Sequence, residues 1–450
     1  MAFSLARLLQ ILQELPSPRR YLVAFSGGCD STVLLHAMAA LRGEHAAGLA
    51  AVHVNHGLQE DASAWAGHCE AVCRDLGVPF VRVDLALEVR QGESLEAAAR
   101  NARYRALEAQ MAGGDMLLTA HHQDDQAETL LLQLLRGSGP RGLAAMPLWS
   151  AFGPGFHGRP LLGFEHKQLQ DHAAAEGLAW IDDASNRDMR HDRNFLRRQV
   201  LPLLRQRWPA MARTISRSAA HCAEAQGLID EVAAADLKGL TAGGGTWLPL
   251  KGLAGLAPPR RGFVLRAWIR ERGFPLPDSA RLGRIQKEML NAPRDRAPMV
   301  CWAGVEVRRY RDRLYLMSPL PRHDPAMVLD WDGRTALRLP SCPGVLRAEK
   351  GTGGIDPAKW SAGKIQVRFR RGGERCRPAG RGHGHSLKKL FQERGLPPWE
   401  RDRLPLIYID DQLAAVADLW VCEPFLAGKD APGIELRFCR SGAPAAKNRP

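Results

Sequence analysis

A short polar, glycine-rich segment, Ser26–Ser31 (SGGCDS), is the first part of the chain whose residue types could do chemistry. It follows the apolar run Tyr21–Phe25 and precedes a stretch with helical apolar spacing, so it lies where a strand ends and a helix begins. Glycines let the backbone approach an anion, and a helix N-terminus offers free N–H groups with a positive dipole end. Because the pattern GxxxxGKS/T is absent and GxGxxG does not occur at this turn, the segment indicates a phosphate site of another class; the alternative is an ordinary tight turn.

A second group of chemically useful residues is acidic. Asp124, Asp125 and Glu128 follow the apolar run Asp115–Ala120, and in a helix Asp125 and Glu128 share one face. Clustered carboxylates at the carboxyl end of a parallel strand, where open α/β sheets bind ligands, can bind a cationic group or transfer protons. The alternative is that acidic residues simply favour a first helical turn. The neighbouring pair His121–His122 lacks the helical spacing of a zinc site, so we interpret it as packing behind the acids.

The net charge of the 450-residue chain is +14, and the excess is concentrated in two segments. Residues 187–217 hold nine arginines and two aspartates, a net +7, and residues 364–403 hold twelve basic and four acidic residues, a net +8. Two basic segments on a nearly neutral remainder favour a long polyanion as partner. The alternative is a composition that is rich in arginine throughout.

Cysteine content and hydrophobicity exclude several classes of protein. Nine cysteines, an odd number scattered along the chain, predict no disulfide framework and favour a reducing cytoplasm. No run of about 18 apolar residues occurs, so we expect no membrane span.

The elements that must position these residues alternate in the first 150 residues, which predicts an α/β fold with a parallel sheet and helices on both faces, Rossmann-like in class. The predicted strands are Tyr21–Phe25, Gly48–Val54, Val78–Leu85 and Asp115–Ala120, with helices at Ala62–Leu76 and Leu95–Met111. A glycine cluster at Gly243–Gly245 breaks the chain, and later we expect helices at Pro259–Glu271, Asp278–Leu290 and Leu387–Arg394 and a hairpin at Val305–Met317. The predicted domains are a catalytic domain (1–217), a mainly helical middle domain (218–320), a linker region (321–363) and a small α+β C-terminal domain (364–440).

The segment SGGxDS after an apolar strand is similar to the pyrophosphatase loop of the N-type ATP pyrophosphatases (PP-loop superfamily), which cleave ATP to AMP and pyrophosphate and adenylate a substrate. Further motifs follow in the order seen in tRNA(Ile)-lysidine synthases, so nearly the whole chain resembles that family. These motifs are His53–Leu58 (HVNHGL), Ala102–Tyr104 (ARY), His121–Thr129 (HHQDDQAET), Arg136–Gly142 (RGSGPRG), Arg159–Leu162 (RPLL), Trp180–Asn194 (WIDDASNRDMRHDRN) and Lys388–Trp399 (KKLFQERGLPPW).

The resemblance implies a ligase that forms a carbon–nitrogen bond. ATP would adenylate the 2-carbonyl oxygen of the wobble cytidine in an isoleucine tRNA with anticodon CAU, and the ε-amine of free L-lysine would displace AMP to give lysidine. The codon read by the tRNA would change from AUG to AUA. The cofactors implied are ATP and Mg²⁺, the location is the cytoplasm, and members of the family are often homodimers.

The resemblance also implies roles for individual residues. Ser26, Gly27, Gly28, Cys29, Asp30 and Ser31 would hold ATP, with Asp30 also holding Mg²⁺. Asp125 and Glu128 would receive or deprotonate the lysine ammonium, and which of them is the base stays open. Arg103 would meet the lysine carboxylate or the adenylate phosphate, Arg193 and Arg197 the AMP phosphate or the tRNA backbone, and Lys388, Lys389, Arg394, Trp399 and Arg401 the tRNA acceptor stem.

Three other functions share part of this pattern. A tRNA thiolase would use the same ATP chemistry, but it usually carries a CxxC cluster or a dedicated cysteine pair, so we interpret Cys29 as a small filler residue. A glutamine-fed synthetase would need an amino-terminal catalytic cysteine, whereas the chain starts Met1-Ala2. An RNA-binding protein without activity would have no need of Asp30, Asp125 and Glu128.

Overall fold

The computed structural model describes residues 2–55, 62–85, 95–182, 189–241, 246–293, 296–340, 344–428 and 430–440. Residues 56–58 of the HVNHGL motif, residues 183–188 of the Trp180–Asn194 motif and the glycine cluster 243–245 lie outside them. The chain divides into two compact units, Met1–Ala233 and Ala234–Pro450. Within the described ranges, no helix combines the length and the apolar character that a membrane crossing requires.

A six-stranded sheet organises the first unit, with strand order β3-β2-β1-β4-β6-β5. All neighbouring strands are parallel except β5, which lies antiparallel to β6 at the edge. The four strands predicted from the sequence are confirmed, with ends that differ by at most two residues. The strands are β1 (Arg20–Ala24), β2 (Gly48–Asn55), β3 (Phe80–Asp84), β4 (Asp115–Leu118), β5 (Trp149–Phe152) and β6 (Gly155–Gly158).

Helices cover both faces of this sheet, because successive side chains of a buried strand point to opposite sides. In β1, Tyr21 and Val23 join one buried cluster with Leu35, while Leu22 joins another with Leu107. The expected α/β fold is therefore confirmed. The helices that begin in this unit are α1 (Leu5–Gln13), α2 (Cys29–Ala40), α3 (Ala62–Asp75), α4 (Leu95–Ala109), α5 (Gln123–Leu135), α6 (Pro140–Leu143), α7 (His166–Ala175), α8 (Asp192–Phe195), α9 (Leu201–Arg207) and α10 (Met211–Thr241), with a 3₁₀ turn at Arg42–Glu44 and a π-helical turn at Leu196–Val200.

The order of the strands fixes where a ligand can bind. Strand β1 is followed along the chain by β2 on one side, whereas β4 pairs with it on the other. Ligands of open α/β sheets bind at such a change of direction, beyond the carboxyl ends of the strands. The segments Ser26–Ser31 and His121–Glu128 leave β1 and β4 at this edge.

The middle part of the chain contains the expected helices and also a four-stranded antiparallel sheet of order β7-β10-β9-β8. The hairpin predicted at Val305–Met317 is confirmed as β9 and β10. The elements are β7 (Trp247–Pro249), α11 (Leu250–Gly255), α12 (Pro258–Glu271), α13 (Ser279–Arg284), a π-helical turn (Ile285–Met289), β8 (Met299–Trp302), β9 (Val305–Tyr310) and β10 (Arg313–Met317).

The C-terminal part is built on sheets of order β11-β14-β17-β18-β19, β12-β13-β20 and β15-β16. Its strands are β11 (Val328–Asp330), β12 (Leu337–Leu339), β13 (Gly344–Thr352), β14 (Ile365–Arg368), β15 (Arg375–Cys376), β16 (His385–Ser386), β17 (Leu406–Ile409), β18 (Gln412–Val416), β19 (Trp420–Val421) and β20 (Pro432–Arg440). Its helices are α14 (Pro357–Ala362), α15 (Leu387–Glu393) and α16 (Pro398–Arg401).

Two of the predicted domain limits differ from this architecture. Residue 217 lies inside the continuous helix α10, so the first predicted domain cannot end there. Residues 321–363 are not a linker, because they supply β11, β12, β13 and α14. Trp331, Leu346 and Trp360 from this stretch are buried in the same core as Val367 of β14.

Candidate active site

The segment Ser26–Ser31 forms a tight loop between β1 and α2, and the helix begins at Cys29. Gly27 has φ of +85°, a conformation that residues with a side chain rarely adopt. A Cβ atom at Gly27 would lie 2.7 Å from Cδ1 of Ile181, so there is also no space for a side chain. The Ile181 N–H donates to the Gly27 carbonyl at 2.9 Å, which fixes the loop from the other side. Glycine is therefore required here for two separate reasons.

Hydroxyl groups converge on the same loop. The Oγ atoms of Ser26 and Ser31 are 3.0 Å apart, and the Ser31 hydroxyl is also 3.0 Å from the Gly28 carbonyl oxygen. The Thr32 hydroxyl donates to that carbonyl at 3.0 Å. The start of α2 thus combines orphan backbone N–H groups with two hydroxyls, a combination that suits a phosphate or pyrophosphate group.

Asp30, in the first turn of α2, faces two histidines. Its Oδ1 atom is 2.9 Å from Nδ1 of His166, and its Oδ2 atom is 3.6 Å from Nε2 of His122. The hydrogen bond to Asp30 raises the pKa of His166. Asp30, His122 and His166 each offer one ligand atom within 4.8 Å of the others, so the group has the donors for a divalent cation.

The sequence did not identify His166, because a single histidine at the start of a helix carries no spacing signal. The sequence predicts that His122 packs behind the acids; in the structure it is buried, 3.6 Å from Asp30 and 3.5 Å from Asp125.

Asp125 and Glu128 form an ion-pair network with the two arginines predicted to meet phosphate. Arg193 donates from Nε to Glu128 at 2.8 Å and from Nη2 to Asp125 at 3.2 Å. Arg197 donates from Nε to Glu128 at 2.6 Å and from Nη2 to Asp125 at 2.8 Å. The Glu128 side chain is 0% exposed. Residues that the sequence assigned to separate roles therefore lie together on α5, α8 and the π-helical turn.

The electrostatics of this network keep Asp125 ionised. Burial by itself would raise the pKa of Asp125, but the charges of His122, Arg193, His121 and Arg197 together hold it well below its usual range. Its Oδ2 atom also accepts the His122 backbone N–H at 3.0 Å, at the start of α5. A carboxylate with such a low pKa binds cations but takes up a proton poorly.

Both oxygens of the Asp124 carboxylate contact neighbouring helices. Its Oδ2 atom accepts the His166 backbone N–H at 2.9 Å, and its Oδ1 atom pairs with Arg205 of α9. Asp124 therefore joins α5 to α7 and α9, and it leaves Asp125 and Glu128 as the acids beside the arginines.

A chain of polar groups, which ends at the charged Arg159, continues from β4 to β6. The Thr119 hydroxyl is 2.7 Å from Nδ1 of His121 and 2.9 Å from Nε2 of His157, and Arg159 Nη2 is 3.0 Å from Nδ1 of His157. Burial lowers the pKa of His121 to about 4 and that of His157 to about 3, so both rings are neutral at pH 7. Arg159 belongs to the RPLL motif, but no pattern in the sequence indicated its contact with His157.

Two predicted residues of the first unit remain, Arg103 of the catalytic set and Cys29 of the ATP-binding loop. Arg103 lies exposed on α4. The pKa of His53 on β2 is lowered chiefly by burial, and the charges of Arg82 and Arg103 lower it further. Burial and the neighbouring Asp30 raise the pKa of the Cys29 thiol to about 11. Cys29 is thus a protonated thiol at neutral pH, which agrees with its interpretation as a filler residue.

The five residues predicted to contact the tRNA acceptor stem fall into two groups. Lys388 and Lys389 are exposed on α15, and Arg394 is exposed just after that helix. Arg401 is buried instead and donates to the Tyr310 hydroxyl and to the Leu396 carbonyl, both at 2.8 Å. The Trp399 ring packs edge-on against Tyr315, with centroids 5.3 Å apart. Arg401 and Trp399 therefore pack α16 against the hairpin β9–β10.

Comparisons with known proteins cover almost the whole chain. Three family profiles match: a PP-loop domain over residues 2–204, a TilS substrate binding domain over residues 248–315 and a TilS substrate C-terminal domain over residues 365–438. A tRNA(Ile)-lysidine synthase of Methylococcus capsulatus is 49% identical and covers 93% of this chain and 96% of its own length. Proteins of the same name from Coxiella burnetii and Alkalilimnicola ehrlichii are 43% and 44% identical, each over 94% of both chains.

Proposed function

The chain belongs to the tRNA(Ile)-lysidine synthase family, and from this premise we propose how its first unit joins free L-lysine to the wobble cytidine of an isoleucine tRNA with anticodon CAU. The enzyme is a ligase that uses ATP and releases AMP and diphosphate. The observation that carries the assignment of the site is a bridge through His122. Its Nε2 atom is 3.6 Å from Asp30 in the phosphate loop and 3.5 Å from Asp125 in the acid–arginine network. An adenylated base bound beside this bridge would face both the leaving phosphate and the incoming amine.

Asp30 is the residue that we propose for Mg²⁺. Mg²⁺ is commonly bound through one or two carboxylates together with substrate phosphates, and the Asp30 carboxylate is partly exposed beside the phosphate loop. When bound, the ion would neutralise charge on the departing pyrophosphate. The hydrogen bond from His166 restrains the Asp30 carboxylate.

Free lysine arrives as an ammonium ion, since its unperturbed pKa is about 10.4. Asp125 and Glu128 are the carboxylates proposed to receive it, yet Arg193 and Arg197 occupy both of them. We propose that the ammonium displaces one guanidinium, which is then able to contact the AMP phosphate. We propose that one of these two carboxylates, Asp125 or Glu128, then takes up the proton of the amine.

The exposed Lys388, Lys389 and Arg394 are proposed to hold the tRNA through its phosphates. Phosphate contacts supply affinity that depends on salt, whereas contacts to base edges provide selection. Arg103 is proposed to meet the lysine carboxylate or the adenylate phosphate. The cytoplasmic location and a homodimer stay predictions.

The direct test is incubation of the full chain with ATP, labelled lysine and the minor isoleucine tRNA, followed by nucleoside analysis. The expected product is a lysine-bearing cytidine formed with one AMP per lysine. A methionine tRNA with the same anticodon is the matched control and should stay unmodified. A product that contains sulfur, or label that never enters the RNA, would contradict the assignment.

A further inference from the structure

The row of hydrogen-bonded side chains that joins β6 to β4 has a fixed direction. It runs from Arg159 through His157 and Thr119 to His121. A guanidinium can only donate, so Nδ1 of His157, which lies 3.0 Å from Nη2 of Arg159, carries no proton. The proton of the His157 ring is therefore on Nε2. Because the hydrogen bond of one ring nitrogen sets which nitrogen is protonated, Arg159 fixes the tautomer of His157.

Thr119 passes this direction on to His121. Its hydroxyl oxygen lies 2.9 Å from Nε2 of His157, so it accepts the proton of that ring. Thr119 and His157 are both buried, and among the described residues the other polar contact of the hydroxyl is Nδ1 of His121, at 2.7 Å. Buried polar groups are almost always paired, so the hydroxyl donates to that nitrogen. The His121 ring therefore holds its proton on Nε2.

The Nε2–H of His121 is a donor for which the described part of the chain provides no acceptor. The ring lies between the end of β4 and the start of α5, at the edge of the sheet where the phosphate loop also lies. Asp125 and Arg193, which pair with each other at 3.2 Å, are close enough for their charges to act on the ring. The missing acceptor is therefore expected beside the acid–arginine network.

The charges near His121 favour a negatively charged acceptor. The guanidiniums of Arg159 and Arg100 also act on the ring. Neither has an acidic partner among the residues that the structure describes. Arg159 instead donates to His157 and to the Pro147 carbonyl, and Arg100 lies over the Tyr104 ring, 5.1 Å from its centroid. Neutral contacts of this kind orient a guanidinium without cancelling its charge.

We infer that His121 contacts a substrate directly, donating from Nε2 to an anionic oxygen, and that Arg159, His157 and Thr119 are positioning residues that keep the hydrogen on this atom. Two oxygens have the required chemistry, the α-carboxylate of free lysine and the phosphate of the adenylated tRNA. A hydrogen bond to an ionised acceptor is stronger than one between neutral groups. The inference rests on the proposed function for the identity of the substrates, but the direction of the hydrogen bonds does not.

Two substitutions of His121 in the full-length protein test where the donor must lie. The amide of His121→Gln reaches about as far as Nε2, whereas the shorter amide of His121→Asn reaches only the position of Nδ1. Loss of a hydrogen bond to a charged group should lower kcat/KM for lysidine formation roughly 10- to 150-fold in His121→Asn. His121→Gln should lose less than about fivefold, since its donor reaches the same oxygen. His221→Asn, at an exposed position of α10, is the control and should behave as wild type.

The two candidate oxygens are distinguished by reaction step and by substrate. If the acceptor is the phosphate, His121→Asn slows pyrophosphate release with ATP and tRNA alone. If it is the carboxylate, that release is unchanged and the KM for lysine rises. The same variant then shows no loss with 1,5-diaminopentane, the amine that lacks the carboxylate.

Nitrogen-15 spectra of the histidine rings test the positioning residues independently of catalysis. In wild type, His121 and His157 should both be protonated on Nε2, with the signals assigned by their loss in His121→Gln and His157→Gln. Arg159→Met removes the first donor of the row, and His157 should then show mixed tautomers. Thr119→Val should mix the tautomers of His121 and leave His157 unchanged. A merely structural role of these residues would not move the proton.

Three outcomes would overturn the inference. A proton on Nδ1 of His121 or His157 in wild type would refute the direction of the row. Equal activity of wild type and both His121 variants would remove the ring from substrate contact. An equal loss in the two variants, at unchanged tRNA affinity, would show that the position of the donor does not matter. If wild type forms no lysidine, the proposed function fails and the substrate contact with it, while the spectra still decide the tautomers.

Discussion

Replacing Glu128 with glutamine should separate the two half-reactions. The amide keeps the volume of the side chain and one oxygen that can accept from Arg197, but it removes the negative charge. A hydrogen bond to a charged group contributes about 1.5–3 kcal/mol, which corresponds to roughly a 10- to 150-fold loss in the specificity of lysine transfer. Arg193 and Arg197 are 29% and 41% exposed, so water stabilises the guanidiniums when the carboxylate charge is gone and the fold should persist.

The assay is pyrophosphate release with tRNA and ATP alone, followed by transfer of labelled lysine to the adenylated tRNA. Pyrophosphate release should stay within about threefold of wild type, because the loop Ser26–Ser31 is bridged to Asp125 rather than to Glu128. Glu70→Gln, an exposed position on α3, is the control and should change neither step. A parallel loss of both steps, or an unchanged lysine dependence, would refute the reasoning and leave Glu128 only as a support for the arginines.

The remaining predictions concern the phosphate loop, the C-terminal part and a buried histidine. Asp30→Ala should abolish pyrophosphate release while tRNA affinity, measured by filter binding, stays within a few-fold; wild-type turnover would contradict the site. Lys388→Glu combined with Lys389→Glu should weaken tRNA binding and flatten its salt dependence by about two in slope, and an unchanged binding curve would remove α15 from recognition. His157 is neutral in the native state, with its pKa lowered by burial to about 3, whereas an unfolded histidine titrates near 6.5. The unfolded chain therefore binds more protons than the native chain below about pH 6.5. The free energy of unfolding of the first unit should decrease as the pH is lowered, and this residue alone should account for a loss of roughly 2 kcal/mol at pH 5. Urea unfolding of wild type should depend more steeply on pH between 7 and 5 than that of His157→Gln, and equal slopes would contradict the shift.

Local patterns predicted the elements that carry the site. The apolar run before Ser26 and the helical spacing after it predicted β1, the loop and α2, because strand and helix periodicities are set by neighbouring residues. The acids of α5 were predicted on one helical face in the same way.

The partners of those acids could not be predicted from local patterns. Arg197 lies 69 residues from Glu128, and its position depends on how the π-helical turn packs against α5. His166 is 136 residues from Asp30, and the contact arises only when α7 meets α2. The prediction of a linker at residues 321–363 was wrong for another reason. Its strands β11 and β12 have three residues each, which is too short for alternation to distinguish them from turns.

The two oxygens of Asp125 serve different parts of the molecule. One takes the backbone N–H that opens α5, and the other holds the guanidiniums. Alanine scanning would therefore score this position as indispensable without revealing whether helix initiation or chemistry had been lost. Any other residue at this position would have to accept from a main-chain amide and bind two cations at once. The longer carboxylate of glutamate would also have to fit both sets of contacts.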